Sequence, residues 1–404
     1  PAHSTNGSTT LLVSDSMNCT WDPSTGSATG VLAGAVARAK ATIFAWGPSN
    51  LAPAGAPILT ALHIVVRDPD DSAASLQLGM DESYTLDVAT SGTPAAVLRA
   101  NSTWGALRGL ETLTQLVDFA HGRYQLRFAP WHIEDRPAFP HRGVLIDTAR
   151  HFLPVPTLLR QIDALAMNKM NTLHWHAVDS QSFPLAMEAF PELAKQGAFG
   201  LEGIYSVADQ RAVVAYARAR GVRVVLETDL PGHATSWSLA LPDIFVTCPS
   251  KNSNRGLWGG VSRVIDPTLN ATWEFLDRFI GELAGRFPER VLHLGGDEVS
   301  VGCFNASKSV RRWVAAQGPG TTLQDVYVMF ETRIHALAAK HGKRVQTWHD
   351  AFAAMSAAGQ KPPADAIAQV WMGTCSSQNT CFRFCLRKSL FEVRFVRSSR
   401  YYLM

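Results

Sequence analysis

The chain has 404 residues, 46% of them hydrophobic and 18% charged, which excludes disordered and collagen-like classes and suits two or three domains. A net charge of +3 is too small to indicate nucleic acid. No apolar run reaches the ~18 residues of a membrane-spanning helix; the best, at 31–46, is broken by Arg38 and Lys40. The sequence opens on Pro1, so a secretory leader cannot be read from it.

In chain order, the first ten residues are rich in Ser, Thr and Gly and are expected to be a loose end. Residues 61–67 and 84–88 carry β-branched residues between turn residues and read as strands. Leu107, Leu110, Thr114 and Val117 follow helical spacing over 103–117, with Ser102 or Thr103 as cap. Strands followed by a helix suggest an α+β layer over 11–139, and the proline cluster at 136–140 marks its end. Beyond it, short apolar strands alternate with amphipathic helices. Strands are expected at 143–147, 172–178, 222–228, 291–295, 344–348 and 366–371, with a seventh near 393–398. Helices intervene, including 207–220 with Ser206 as cap and Gly221 as stop. Near-continuous apolar strands between helices indicate a parallel sheet.

No glycine fingerprint follows the first of these strands, which ends Asp147-Thr-Ala-Arg150. Polar or aromatic residues stand instead at nearly every strand end: Asp179, Glu227, Asp229, Asp297, Glu298, Trp348 and Trp371. Side chains converging from consecutive strand ends fit an α/β fold of the (β/α)8 TIM-barrel type. Residues 140–404 would form it, incomplete at the C-terminus and lacking the eighth strand, behind the smaller α+β domain.

Charge and cysteine usage bear on compartment. Residues 382–404 hold six basic residues against Glu392, so this end carries +5 and the rest −2. It is either a solvated basic end or a segment of different origin from the body. Five of the eleven Asn begin an Asn-x-Ser/Thr triplet: Asn6, Asn18, Asn101, Asn270 and Asn305. That excess predicts a glycosylated protein of the secretory route. Six Cys permit a few disulfides, and Cys375, Cys381 and Cys385 do not make the two closely spaced Cys pairs of a zinc knuckle. The pairing of these three and Cys19 is not readable.

The sharpest chemical site is His293-Leu-Gly-Gly-Asp297-Glu298, where two glycines turn the backbone behind a buried strand and set two carboxylates side by side. Crowded like charges raise the proton affinity of one acid while its neighbour stays ionised. Against the reading of a solvated surface pair stands the position directly behind a strand. His174 and His176 are two apart on one strand and share a face. With His233 and His293 they could hold a metal, though packed strand histidines are the favoured reading. His233, in the Asp229-Leu-Pro-Gly-His loop, is better placed to meet a substrate or a catalytic acid. Trp348 and Trp371 end strands and offer flat walls for sugar faces, whereas Trp175 and Trp273 read as core.

Taken together, these motifs resemble glycoside hydrolase family 20, the β-N-acetylhexosaminidases of lysosomal or secreted eukaryotic type. The resemblance runs through Asp81-Glu-Ser-Tyr84, 102–112, 142–151, His174-Trp-His-Ala-Val-Asp179, Asp229 to His233, His293 to Glu298 and Gln369-Val-Trp371. It implies exo-hydrolysis of terminal non-reducing N-acetylglucosamine or N-acetylgalactosamine with retention of configuration and no cofactor. The sugar's own acetamide oxygen would attack the anomeric carbon, a mode assigned to this family. By the same resemblance Glu298 is the general acid and Asp297 orients the acetamide. Arg150 would grip the sugar hydroxyls, Asp179 and His233 would support Glu298, and Trp348 and Trp371 would wall the pocket. Cys248 and Cys303 would pair over the site. The family's acetamide-binding Tyr would be Tyr402, and no eighth strand remains to supply a further Trp and Glu. The chain therefore reads as a truncated or alternatively spliced member, with a terminal N-acetylhexosamine glycan as partner, a homodimer permitted, and a lysosomal or secreted location. Two alternatives stay open: an inactive homologue that only binds N-acetylhexosamines, and a zinc-dependent barrel hydrolase using His174, His176 and His233.

Overall fold

The computed structural model describes residues 2–22, 30–50, 53, 55–249, 262–371 and, as backbone, 394–397. The chain forms two compact units: Pro1–Gly143 with Leu159–Thr172 and Ala215–Arg223, and Val144–Leu158 with Leu173–Val214 and Val224–Met404.

In the first unit the elements are β1 (His3–Trp21), α1 (Val31–Ile43), β2 (Ile58–Asp68), β3 (Tyr84–Val88), β4 (Ala95–Ser102), α2 (Thr103–Leu116), β5 (Val117–Ala120) and β6 (Arg123–Asp135). The strands form one sheet in the order β1-β2-β4-β3-β6-β5, and β1 also pairs with β6. The expected loose end is corrected here, because residues 3–10 belong to β1. Their side chains are largely exposed, so composition reads as unstructured. What orders them is backbone pairing with β6, residue His3 against Glu134 and Asn6 against Trp131, a partner over a hundred residues away. Helix α2 starts where expected: the Ser102 side chain accepts from Gly105 N at 3.1 Å, a cap of about 1 kcal/mol. It buries Trp104, Leu107, Leu110 and Leu113.

The acid of the 81–84 motif is tied into the packing of the first unit. Glu82, 4% exposed, accepts from Arg108 Nε at 2.8 Å, Arg142 Nη2 at 2.7 Å and Asn171 Nδ2 at 2.9 Å. A carboxylate removed from water needs such partners to remain ionised. Burial opposes that ionisation, but the two guanidinium groups hold Glu82 below the usual carboxylate range.

The barrel elements follow as β7 (Gly143–Asp147), α3 (Val155–Met167), β8 (Thr172–Val178), α4 (Pro191–Gly197), α5 (Val207–Arg218), β9 (Arg223–Leu230), β10 (Phe245–Thr247), β11 (Arg263–Ile265), α6 (Asn270–Arg286), β12 (Val291–Gly295), α7 (Lys308–Gln317), α8 (Leu323–Lys340), β13 (Arg344–Trp348), α9 (His349–Ala357), β14 (Ile367–Val370) and β15 (Arg394–Arg397). Apart from the short antiparallel pair β10–β11, these strands form one sheet in chain order, β7-β8-β9-β12-β13-β14-β15. The registered neighbours β9–β12, β12–β13, β13–β14 and β14–β15 are all parallel. Every residue of β8, β9 and β12 is buried, which is why these strands read as continuous apolar runs. This is the (β/α) barrel architecture, with seven strands among the described residues. β15 falls where the seventh was expected. Strand β9 runs to Leu230, so Glu227 and Asp229 lie within it rather than beyond it. Trp175 and Trp273 are core, as anticipated. Among the described residues no helix is long and apolar enough to cross a membrane.

Candidate active site

The site is built at the C-terminal ends of β8, β9 and β12, the end of a parallel barrel where loops present side chains. Strand β12 leaves the sheet through Gly295 (φ +69°) and Gly296 (φ +91°). A Cβ on Gly295 would lie 1.2 Å from Asp229 Oδ1, so only glycine lets β12 pass this close to β9. Glu298 follows with φ +47°, a left-handed conformation that costs a non-glycine residue about 1–3 kcal/mol and often marks a functional turn.

Beneath the mouth sits Glu227, fully buried on β9. Its carboxylate faces His174 Nε2 at 2.7 Å, His176 Nδ1 at 2.6 Å and His293 Nδ1 at 3.1 Å, and it accepts from Trp348 Nε1 at 2.7 Å. Burial opposes its charge, but the surrounding imidazoles outweigh that and hold Glu227 well below the carboxylate range. Its neighbours divide the proton. Burial disfavours a cation at His176, yet Glu227 and Asp179 raise its proton affinity well above the usual value. Burial, aided by His174 and His176, lowers His293 to about 4 despite Glu227.

A second chain of contacts leads outward. Asp179, fully buried just past β8, faces Arg150 Nη2 at 2.6 Å, His176 Nε2 at 3.0 Å and His233 Nδ1 at 3.2 Å. Arg150 also donates to Asp147 at 2.6 Å. The other nitrogen of His233, Nε2, is 3.3 Å from Glu298 Oε2 and 3.9 Å from Asp297 Oδ2. One imidazole thus links the buried Asp179 to the exposed acid. Burial works against ionising Asp179, but His233, His176 and Arg150 hold it far below the ordinary carboxylate range. Burial also disfavours the His233 cation, and Asp179 and Glu298 overcome it.

The two adjacent acids are split, with Glu298 lowered and Asp297 raised. The hydrogen bond from His233 lowers Glu298, whose side chain is 47% exposed. Burial, with Glu227, Asp350 and Asp179 adding to it against His233, pushes Asp297 up to about 7. His233 therefore favours the ionised form of Glu298, while burial favours the protonated form of Asp297. Sequence adjacency cannot reveal this, because it depends on which acid the imidazole reaches.

The expected site residues Arg150, Asp179, His233, Asp297 and Glu298 are brought together. Trp348 is buried, 5% exposed, with its indole turned to Glu227 and its ring 4.9 Å from that of His293. Trp371 is half-buried, its ring 6.3 Å from Trp348, and donates to Asp350 Oδ2 at 2.8 Å. Cys248 and Cys303 are bonded to each other, and Cys19 is a half-buried free thiol. Tyr402, Cys375, Cys381 and Cys385 lie outside the described residues.

Among the described residues, four trios have donor atoms within reach of a single cation: His174–Glu227–His293, His176–Glu227–Asp229, Asp179–Asp229–His233 and His233–Asp297–Glu298. The proposed zinc set of His174, His176 and His233 is not among them, since the first two turn to Glu227 and the third to Asp179 and Glu298. Sequence reading underweighted Glu227 and Asp229 and missed Asp350, Tyr327 and Glu331. Glu227 and Asp229 carried a signal, as acids inside an otherwise apolar strand.

A parallel (β/α) barrel with an imidazole-linked acid pair at its mouth defines the class of this protein. Residues 139–383 match the catalytic domain of glycosyl hydrolase family 20, and 1–116 match a domain described as beta-acetyl hexosaminidase like. The chain belongs to glycosyl hydrolase family 20. It is 41% identical over 276 residues to the beta-hexosaminidase subunit beta of Homo sapiens, covering 68% of this chain and 48% of that one. The Mus musculus subunit beta is 39% identical over 301 residues, covering 73% and 54%. The chain thus spans about half the length of the curated relatives it matches. A chitobiase structure from Flavobacterium johnsoniae superposes with a TM-score of 0.74 at 25% identity, over 93% of this chain and 55% of that one.

Proposed function

We propose that this chain carries the catalytic barrel of an exo-β-N-acetylhexosaminidase, acting on terminal non-reducing N-acetylglucosamine or N-acetylgalactosamine. Residues 140–404 hold the chemistry and 11–139 form a non-catalytic domain. Family membership and the names of the curated relatives support the substrate class. The observation that carries the mechanism is the Asp179–His233–Glu298 chain beside Asp297.

In this reading the acetamide oxygen attacks the anomeric carbon while the bond to the leaving oxygen breaks. Glu298 delivers the proton to that oxygen, drawing on the proton shared with His233. The Asp297 carboxylate accepts the acetamide N–H and balances the positive charge of the cyclised sugar. Water then opens the ring at the same carbon, giving its proton to Glu298, and configuration is retained. The nucleophile is tethered to the substrate, so the gain is one of proximity. Arg150, held by two carboxylates, offers forked donors to sugar hydroxyls, and Trp371 stands as a wall with Trp348 behind it.

A secretory route, lysosomal or outward, is part of the same proposal. All five sequon asparagines are exposed, and the Cys248–Cys303 bond suits an oxidising compartment.

The test is kinetic. D297N should cripple turnover of acetamido sugars, while E298Q should slow substrates with poor leaving groups far more than aryl glycosides. Equal hydrolysis of a glucoside bearing a 2-hydroxyl in place of the acetamide would overturn the proposal.

A further inference from the structure

The junction of β13 and α9 sends three neighbouring side chains to three parts of the site. Trp348 turns its indole inward, donating to Glu227 Oε1 at 2.7 Å. Ala351, fully buried, lies against the acid turn, its Cβ 3.1 Å from the position of a Cβ on Gly296, the residue before Asp297. Between them Asp350, in the first turn of α9, accepts the indole N–H of Trp371 through Oδ2 at 2.8 Å. Asp350 has no part in the reaction steps described above, yet it holds a residue assigned to the pocket wall.

Trp371 needs such a hold. It stands one residue past β14 and is only half-buried, so the core does not enclose it. Two rings meet it from the β13–α9 junction: Trp348, with centroids 6.3 Å apart and planes at 67°, and His349, at 6.4 Å and 59°. Such edge and tilted contacts hold a ring loosely. A hydrogen bond is directional, and an indole has one donor and no acceptor, so a single partner sets the rotation of its plane. A carboxylate is the stronger kind of acceptor for it. Asp350 Oδ2 is itself 3.4 Å from His349 Nδ1, so the group that orients the wall is steadied from within the same helical turn.

We propose that Asp350 is a positioning residue that determines specificity: by fixing the plane of Trp371 it sets the depth of the pocket for the acyl group on the sugar nitrogen. The site then takes an acetyl group and rejects longer acyl chains. The inference rests on the reaction proposed above, in which that acyl group supplies the attacking oxygen and must sit at a fixed distance from the anomeric carbon. An apolar pocket separates substrates that differ by one methylene by about 10–200-fold, and only while its walls stay in place. With Ala351 on Gly296 and Asp350 on Trp371, one turn of α9 ties the wall to the turn that carries the acids.

The experiment measures kcat and KM of wild type, D350N, D350L and D350S on 4-nitrophenyl β-glucosaminides carrying N-acetyl or N-propionyl groups, and on the glucoside with a 2-hydroxyl. Wild type should favour N-acetyl over N-propionyl by about tenfold or more in kcat/KM. D350N keeps a carbonyl oxygen to accept the indole N–H and should stay within about threefold of that ratio. D350L, of similar size but without an acceptor, should lower the ratio about fivefold or more. A purely structural Asp350 would lower the melting temperature and slow both substrates alike, and an unchanged ratio in D350L overturns the assignment. So does a D350N ratio as low as that of D350L, because the hydrogen bond would then not be the cause. Should D350L fail to fold, D350S decides: its hydroxyl keeps the first turn polar but is too short to reach the indole, and a wild-type ratio there overturns the proposal. A wild type indifferent to acyl length, yet inactive on the 2-hydroxyl glucoside, would sink this proposal alone. If wild type fails on the N-acetyl substrate, or hydrolyses the 2-hydroxyl glucoside equally well, the reaction itself falls, and this proposal with it.

Discussion

Replacing His233 by asparagine isolates the acid end of the Asp179–His233–Glu298 chain. The asparagine amide sits where Nδ1 does, so the bond to Asp179, 3.2 Å in the native chain, can persist while the reach to Glu298 is lost. Asparagine also tolerates the left-handed backbone of this position, φ +48°. Asp179 retains Arg150 and His176, so the fold should survive. The interaction removed is that of an imidazolium 3.3 Å from a carboxylate. Coulomb's law gives ~5 kcal/mol at an effective dielectric of 20 and ~1.3 kcal/mol in water. Because the Glu298 side chain is 47% exposed, screening places the value near the lower end. About 1 kcal/mol corresponds to nearly one pH unit. The sign follows from the group that titrates. The His233 imidazolium lowers Glu298, so removing it raises the proton affinity of that acid. The alkaline limb of kcat/KM, set by ionisation of Glu298, should therefore move to higher pH in H233N, by up to about one unit, with a lower maximum. A limb that stayed in place or moved downward would refute the idea that His233 lowers the catalytic acid.

Other expectations concern the frame of the site. Gly295→Ala would place its methyl on Asp229 and force a side chain into a positive-φ turn; a loss of about 2 kcal/mol or more, read by denaturant melts, is expected together with lost activity. Gly296→Ala, whose nearest contact is 3.1 Å from Ala351 Cβ, should be milder. Replacing both Cys248 and Cys303 by alanine opens a cross-link spanning 55 residues, and chain entropy puts the cost at up to about 4 kcal/mol, measurable as a lower denaturation midpoint. Expression through a secretory pathway should yield a product whose mass drops on N-glycosidase treatment, and an unchanged mass would remove the argument for the glycosylated route.

Much of the barrel is legible in one dimension because strands buried on both faces must be continuously apolar, as at 172–178 and 291–295. The acid pair is equally local: two glycines and two carboxylates are adjacent in sequence, and the left-handed turn that displays them belongs to the same four residues. Strand β1 is illegible for the opposite reason, since its order comes from backbone bonds to β6 and leaves its side chains in water. Helix α8 shows a similar limit. Its apolar spacing marks Val326, Phe330 and Ile334 as core, yet Glu331 and His335 are buried beside them, and a charged residue next to an apolar stripe looks like a solvated flank.

From its sequence alone, then, this chain's strand and helix rhythm, its paired acids and its family resemblance could be read, because each depends on neighbours along the chain. Only the folded structure decided how proton affinity divides between the two acids, since that depends on His233 reaching Glu298 while burial encloses Asp297. The convergence of three histidines on Glu227 was decided there too, from strands separated by dozens of residues. Electrostatic state is set by distance and burial in three dimensions, and neither is written in the order of the residues.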